Sequence, residues 1–187
     1  MRKDRIGHME DREIIPEFLD EDMGIPVMLL DAAYKFRNGE ATGTVVPDVP
    51  GLEAAMAVAR VMDDFKLSGK DFKFLRKAIG IKANVLADFL GIKPETLSRW
   101  ENGKEPISTN AERVMRLRIF HTLKDKAPGV RASLDAILEM KFKVVRPAID
   151  GIMKFKRFPV VKDGDVRTYW VHEGFYAPST QIVRLRA

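Results

Sequence analysis

The run Leu86-Ala87-Asp88-Phe89-Leu90-Gly91-Ile92-Lys93-Pro94-Glu95-Thr96-Leu97-Ser98-Arg99-Trp100-Glu101-Asn102-Gly103 constrains the fold more than any other part of the chain. Gly91 permits a sharp turn at the end of one short helix, and Pro94 falls in the first turn of the next, where its missing N–H is tolerated. Ala87 is small enough to let two helices approach closely. Ile92 and Leu97 fill the space between them, and Trp100 is expected to pack inward. Such a pair holds its second helix rigidly, with the polar side turned outward.

The flanking segments supply the frame for that pair. Leu52, Met56, Ala59, Met62 and Phe65 recur at helical spacing over residues 51–66 and give an amphipathic linking helix. Ser68 caps a further helix with Phe72, Leu75 and Ile79 inward and Gly80 as its stop, and residues 83–90 form the next, closed by Gly91. Ser108 or Thr109 caps a helix running to about Leu123. The linking helix and these four make a five-helix unit over residues 51–123.

Outside it the pattern changes. Residues 1–24 are charged, poor in large apolar side chains and interrupted by Pro16, and read as a flexible acidic arm. Residues 25–50 hold an apolar run at Val27–Leu30, a turn signal at Asn38-Gly39 and the β-branched stretch Thr42, Thr44, Val45, Val46, which suggests two short strands in a hairpin. Pro128-Gly129 marks a boundary. Beyond it, residues 128–187 form an α+β extension. Val130, Leu134, Ile137 and Leu138 suggest a helix, Phe158–Val161 and Val166–Val171 flank the turn Lys162-Asp163-Gly164-Asp165, and Ile182, Val183 and Leu185 suggest a last strand. The expected fold is mainly α with small β parts: an N-terminal hairpin, the helical domain, and a C-terminal helix with a hairpin.

Composition narrows the chemistry. None of the 187 residues is cysteine, which excludes disulfides and cysteine-ligated metal sites. Lys and Arg number 32 against 27 Asp and Glu, and residues 113–156 are rich in them; a basic surface of that kind attracts a polyanion such as DNA. No apolar run approaches the roughly 20 residues of a membrane span, and the start lacks the basic-then-apolar order of a secretory leader, so the expected location is the cytoplasm. His8, His121 and His172 are far apart. Tyr176 stands where a zinc-protease helix needs its second histidine, and Gly69-Lys70 lacks the earlier glycine of a phosphate loop. No catalytic constellation, metal site or cofactor site can be assembled, and the chain is not expected to be an enzyme.

The 86–103 run resembles the Xre-type (Cro and lambda repressor-like) helix-turn-helix hallmark Leu-Ala-x-x-Leu-Gly-Val-x-x-x-Thr-Ile-Ser-Arg-Trp-Glu-x-Gly, with Ile92 for Val and Leu97 for Ile. The resemblance implies a sequence-specific regulator of transcription that binds double-stranded DNA, a repressor acting as a dimer on a palindrome, with Lys82, Asn84, Lys93, Glu95, Thr96, Ser98, Arg99, Asn102 and Lys104 at the DNA. Arg99 would donate two hydrogen bonds to guanine O6 and N7, and Glu95 would accept one from cytosine N4. Many members carry Gln where this chain has Ala83; Asn84 or Lys82 stands nearby to replace its contact. Over residues 25–123 the chain is also similar to MqsA-type or YgiT-type antitoxin regulators, which join a zinc-binding segment to an Xre-type domain. Their Cys-x-x-Cys-Gly is absent: Lys35-Phe36-Arg37-Asn38-Gly39-Glu40 keeps the glycine and neither thiolate. That likeness implies a degenerate zinc-finger-like region over residues 25–50, held by apolar packing, and a toxin protein as an alternative partner. Dimerisation, ligand sensing, toxin binding or further DNA contact through Lys141, Lys143, Lys154, Lys156 and Arg157 are all open to residues 128–187. Trp170 is either an interface anchor or a core residue beneath the hairpin.

Overall fold

A computed structural model describes residues 12–36, 44–144, 152–162 and 165–173. Strands β1 (Arg12–Asp20) and β2 (Val27–Phe36) open the chain, helices α1 (Val49–Met62), α2 (Gly69–Ala78), α3 (Ala83–Leu90), α4 (Pro94–Glu101), α5 (Thr109–Leu123) and the short α6 (Leu134–Glu139) follow, and strands β3 (Met153–Lys162) and β4 (Asp165–His172) close it. The architecture is mixed α/β rather than mainly α, because the β segments from the two ends of the chain join. They form one four-stranded sheet in the order β1-β2-β3-β4, antiparallel except where β3 lies parallel to β2.

Residues 12–20, read above as part of a flexible arm, are a strand. Glu17, Phe18, Leu19 and Asp20 pair with Leu30, Leu29, Met28 and Val27, and Pro16 sits at the register shift, where a missing N–H on an edge strand breaks no ladder bond. Among the described residues the hairpin expected within 25–50 shows one bridge, Tyr34 with Val45, and β2 takes β1 and β3 as its ladder partners. The turn at Asn38-Gly39, the middle of the Lys162–Asp165 turn and the strand expected at 182–185 lie outside the described residues.

Cross-strand partners share a face of a sheet, and Val27, Leu29, Met153, Phe155 and Trp170 are buried on the one that meets the helices. Helix α1 lies between that face and the helical unit, packed against β4 on one side and against α5 and α2 on the other. It is therefore buried from Ala54 to Val61 without interruption, not amphipathic as its spacing suggested. Only four helices, α2 to α5, then compose the outer unit; the fifth counted from sequence is the spine of a single core. Trp170 belongs to that core: it is enclosed, its Nε1 donates to the Asp48 carbonyl at the start of α1 at 3.1 Å, and the Arg157 guanidinium lies over its ring. At Pro128-Gly129 the chain stays packed on this core: Ala127 and Val130 are buried, and Gly129 sits against the Trp170 carbonyl too closely for any side chain.

Charged side chains tie the layers together where apolar packing leaves backbone carbonyls enclosed. Arg116 on α5 is fully buried. It binds Glu112 at 2.8 Å and donates to the carbonyls of Val61 at 2.9 Å, Phe65 at 2.7 Å and Asp63. Burial pushes its pKa down, and Glu112 opposes the shift. Arg60 on α1 donates to the Lys66 carbonyl at 2.9 Å and to Asp71 at 3.0 Å. Burial raises the Asp71 pKa, but Arg60 and Ser68 outweigh it and hold the carboxyl below its ordinary value. The connection from α1 to α2 is thus clamped from both sides, and the basic run of residues 113–156 is not one surface. Arg116 faces the interior, and Arg113 donates to the carbonyls of Ile137, Leu138 and Met140 at the end of α6.

Candidate nucleic-acid interface

Helix α3 ends at Gly91, whose φ of +65° is the left-handed conformation that turns the chain within one residue. Its N–H and that of Ile92 reach back to carbonyls of α3, Asp88 at 3.1 Å and Ala87 at 3.0 Å. Pro94 is in the first turn of α4 as its fixed φ favours. Leu86, Ala87 and Leu97 are buried between the helices, and Trp100 meets Phe72 of α2 edge-on with centroids 6.1 Å apart. At Gly69, the first residue of α2, an added Cβ would overlap the Trp100 carbonyl, so this glycine lets α2 butt against the end of α4.

An ion pair invisible in the local sequence pattern fixes the orientation of α4. Arg76 on α2 grips Glu101 with two bonds, Nε to Oε1 at 2.6 Å and Nη2 to Oε2 at 3.0 Å, and its Nη1 donates to the Ile81 carbonyl just before α3 at 3.0 Å. The bond to Glu101 raises the Arg76 pKa and burial opposes it. One side chain thereby references α2, α4 and the approach to α3 to one another. The 25-residue separation of the pair is why spacing alone did not find it.

With Leu97 and Trp100 inward, the opposite side of α4 faces out. Glu95, Ser98 and Arg99 are exposed and Thr96 is half-buried; Lys93 precedes the helix, and Asn102 and Lys104 follow it, all exposed. Lys82 and Asn84 are exposed at the start of α3. Asn102 is turned back on the helix, its Nδ2 donating to the Ser98 carbonyl at 2.8 Å. Arg99 holds Glu105 at 3.0 Å, a partner not singled out from sequence.

The helix starts differ in a telling way. Asp48, Ser68, Ser108 and Ser133 cap α1, α2, α5 and α6 with side-chain bonds to backbone N–H groups. Among the described α-helices, α3 and α4 have no such bond, and each begins at a lysine, Lys82 and Lys93. Lysine cannot accept from the free N–H groups and adds positive charge to the positive end of the helix dipole, which disfavours the free state and favours an anion at that place.

Residues 72–117 match the family model described as helix-turn-helix, of the Xre and lambda repressor-like kind. This segment is a DNA-binding helix-turn-helix domain. It spans α2 through most of α5 and supports a DNA-binding regulator of transcription. No curated protein and no solved structure matches the chain. Among the described residues no group of three or more His, Asp or Glu is arranged to hold a metal ion, and no helix is long and apolar enough to cross a membrane.

Proposed function

We propose that this protein is a sequence-specific, non-catalytic repressor of transcription that acts in the cytoplasm as a homodimer on a palindromic operator. The observation that carries the reading is the two-sidedness of α4: Leu97 and Trp100 anchor it while Glu95, Ser98 and Arg99 are exposed on the side that would meet base edges in a major groove. The uncapped, lysine-led starts of α3 and α4 suit phosphates on either side of that groove. Lys82, Lys93 and Lys104 supply affinity that depends on salt, Arg99 and Glu95 supply discrimination, and Thr96, Ser98, Asn84 and Asn102 add polar contacts. An eight-residue helix reads only a few base pairs, so two copies on half-sites about one turn apart supply the remaining specificity.

Selection of bound sequences from a random DNA pool near physiological salt tests this. A palindrome enriched by the wild type and lost with Arg99→Ala supports the reading. An enriched sequence without two-fold symmetry argues against the dimer, and no enrichment argues against sequence-specific repression.

One observation favours a second reading, an antitoxin that neutralises a toxin protein and represses its own operon. The sheet face turned away from α1 carries Leu19, Met28 and Leu30 beside Lys154 and Lys156, with Leu19 exposed, as suits a protein partner. A neighbouring gene whose product arrests growth unless this chain is co-expressed supports that reading; its absence favours the plain repressor.

A further inference from the structure

We infer that Glu105 sets the specificity of the reading helix, by occupying Arg99 in a way that a phosphate cannot tolerate and a guanine can. The inference deepens the proposed function and rests on Arg99 being a base-reading side chain.

Arg99 Nη1 and Glu105 Oε1 are 3.0 Å apart, and the two side chains are 57% and 43% exposed. An exposed pair of this kind contributes little to stability, so folding alone gives no reason for it. Its placement is not that of a loose loop. Gly103, at φ +67°, turns the chain back, the Lys104 N–H donates to the Arg99 carbonyl at 2.8 Å, and the Asn102 N–H donates to the Ser98 carbonyl at 3.1 Å. These bonds seat Glu105 against the last turn of α4, over the side chain the helix would offer to DNA.

The chemistry follows from what a guanidinium can do with one donor taken. Arginine has five N–H donors, and one bond to Glu105 leaves enough for the paired acceptors of guanine, N7 and O6, which are neutral. A phosphate would have to approach the same guanidinium past a carboxylate 3.0 Å from it. The pair cancels the charge that attracts phosphate and leaves the fork geometry that recognises a base. Glu105 therefore weakens binding to arbitrary DNA more than binding to the operator, while Lys82, Lys93 and Lys104 retain the general attraction.

The experiment measures binding of the full chain to two duplexes by fluorescence anisotropy over a range of KCl concentrations. One duplex is the sequence the wild type enriches from a random pool and the other is its scrambled counterpart. The proteins are wild type, Glu105→Gln, Arg99→Ala and the double variant. Freeing one arginine for phosphate adds about one released counterion, so Glu105→Gln is expected to steepen the salt dependence on scrambled DNA by about one unit and to tighten that binding by about 10-fold at low salt. Operator affinity should change by less, so the ratio between the duplexes falls. The change in salt slope should vanish when Arg99 is already Ala. Equal tightening on both duplexes, or an unchanged slope, overturns the inference while Arg99 remains a reading residue. Undiminished operator binding by Arg99→Ala removes the reading on which it stands, so the two failures are told apart by different proteins.

Discussion

Arg116 commits its guanidinium to Glu112 and three backbone carbonyls and is wholly enclosed, whereas Arg99, two helix-lengths of sequence away, has one carboxylate partner and is more than half exposed. The contrast runs through their surroundings. Around Arg116 the connection between α1 and α2 is clamped by two arginines, and the capping box of Ser68 and Asp71 closes the start of α2. Around Arg99 the helices start uncapped, and exposed lysines stand where a serine or aspartate would stabilise the free protein. The interior ties its charged groups to carbonyls and to one another; the outer helix pair leaves the first N–H groups of α3 and α4 without a side-chain cap, an arrangement that suits an anion.

The largest expected effect lies on the enclosed side. Arg116→Ala removes the buried charge partner of Glu112 and the Arg116 bonds to the Val61 and Asp63 carbonyls, leaving Phe65 with only its bond from Arg60, and should cost about 3 to 5 kcal/mol of unfolding free energy in urea denaturation. If the loss is under about 1 kcal/mol, as for an exposed pair, the contrast between the regions is broken. Arg116→Met, of similar length, should recover part of the loss.

Next in size is the response to acid. Burial pushes the His172 pKa down from 6.5 to about 4, against the opposing influence of Asp63, and its ring lies 5.0 Å from that of Phe155. Because the unfolded chain takes up this proton first, stability should be full above pH 6.5 and should fall as the pH drops toward 4, by up to about 3 kcal/mol. Urea melts across that interval check the slope. His172→Leu should flatten it, and an equal slope in that variant would assign the effect elsewhere.

On the outward side, Arg99→Ala should lower operator affinity by about 1 to 3 kcal/mol and leave the melting temperature almost unchanged, which anisotropy and calorimetry together would show. A matching loss of stability would make Arg99 a structural residue like Arg116. The smallest effect sharpens the comparison most. Lys93→Asp supplies the missing cap to α4 and should stabilise the free protein by about 1 kcal/mol while weakening DNA binding. A gain in stability with unchanged DNA affinity would mean that the start of α4 does not meet phosphate.

The helical unit was legible because its signals are local. Ser68, Gly91, Pro94 and Ser108 stand within a residue or two of the helix ends they set, and Leu97 and Trp100 are buried as their spacing implies. Asp71 completes the capping box of Ser68 three residues on, again within one turn. What was not legible is long-range. Arg76 and Glu101 meet across 25 residues, Trp170 reaches Asp48 across 122, and the strand at Arg12–Asp20 looked like an arm because Pro16 and its acidic residues are acceptable on an edge strand whose partner cannot be inferred from its own sequence.

The sequence by itself determined helix α4, the side of it that faces out and the turn that precedes it, since helix periodicity and capping depend on neighbours within about four residues. Only the tertiary structure decided that the two ends of the chain close one sheet, that α1 is a buried spine rather than a linker, and that Arg116 and Arg99 have opposite surroundings. Strand pairing and the burial of a charge depend on partners brought together by the whole fold, and no local pattern records which they will be.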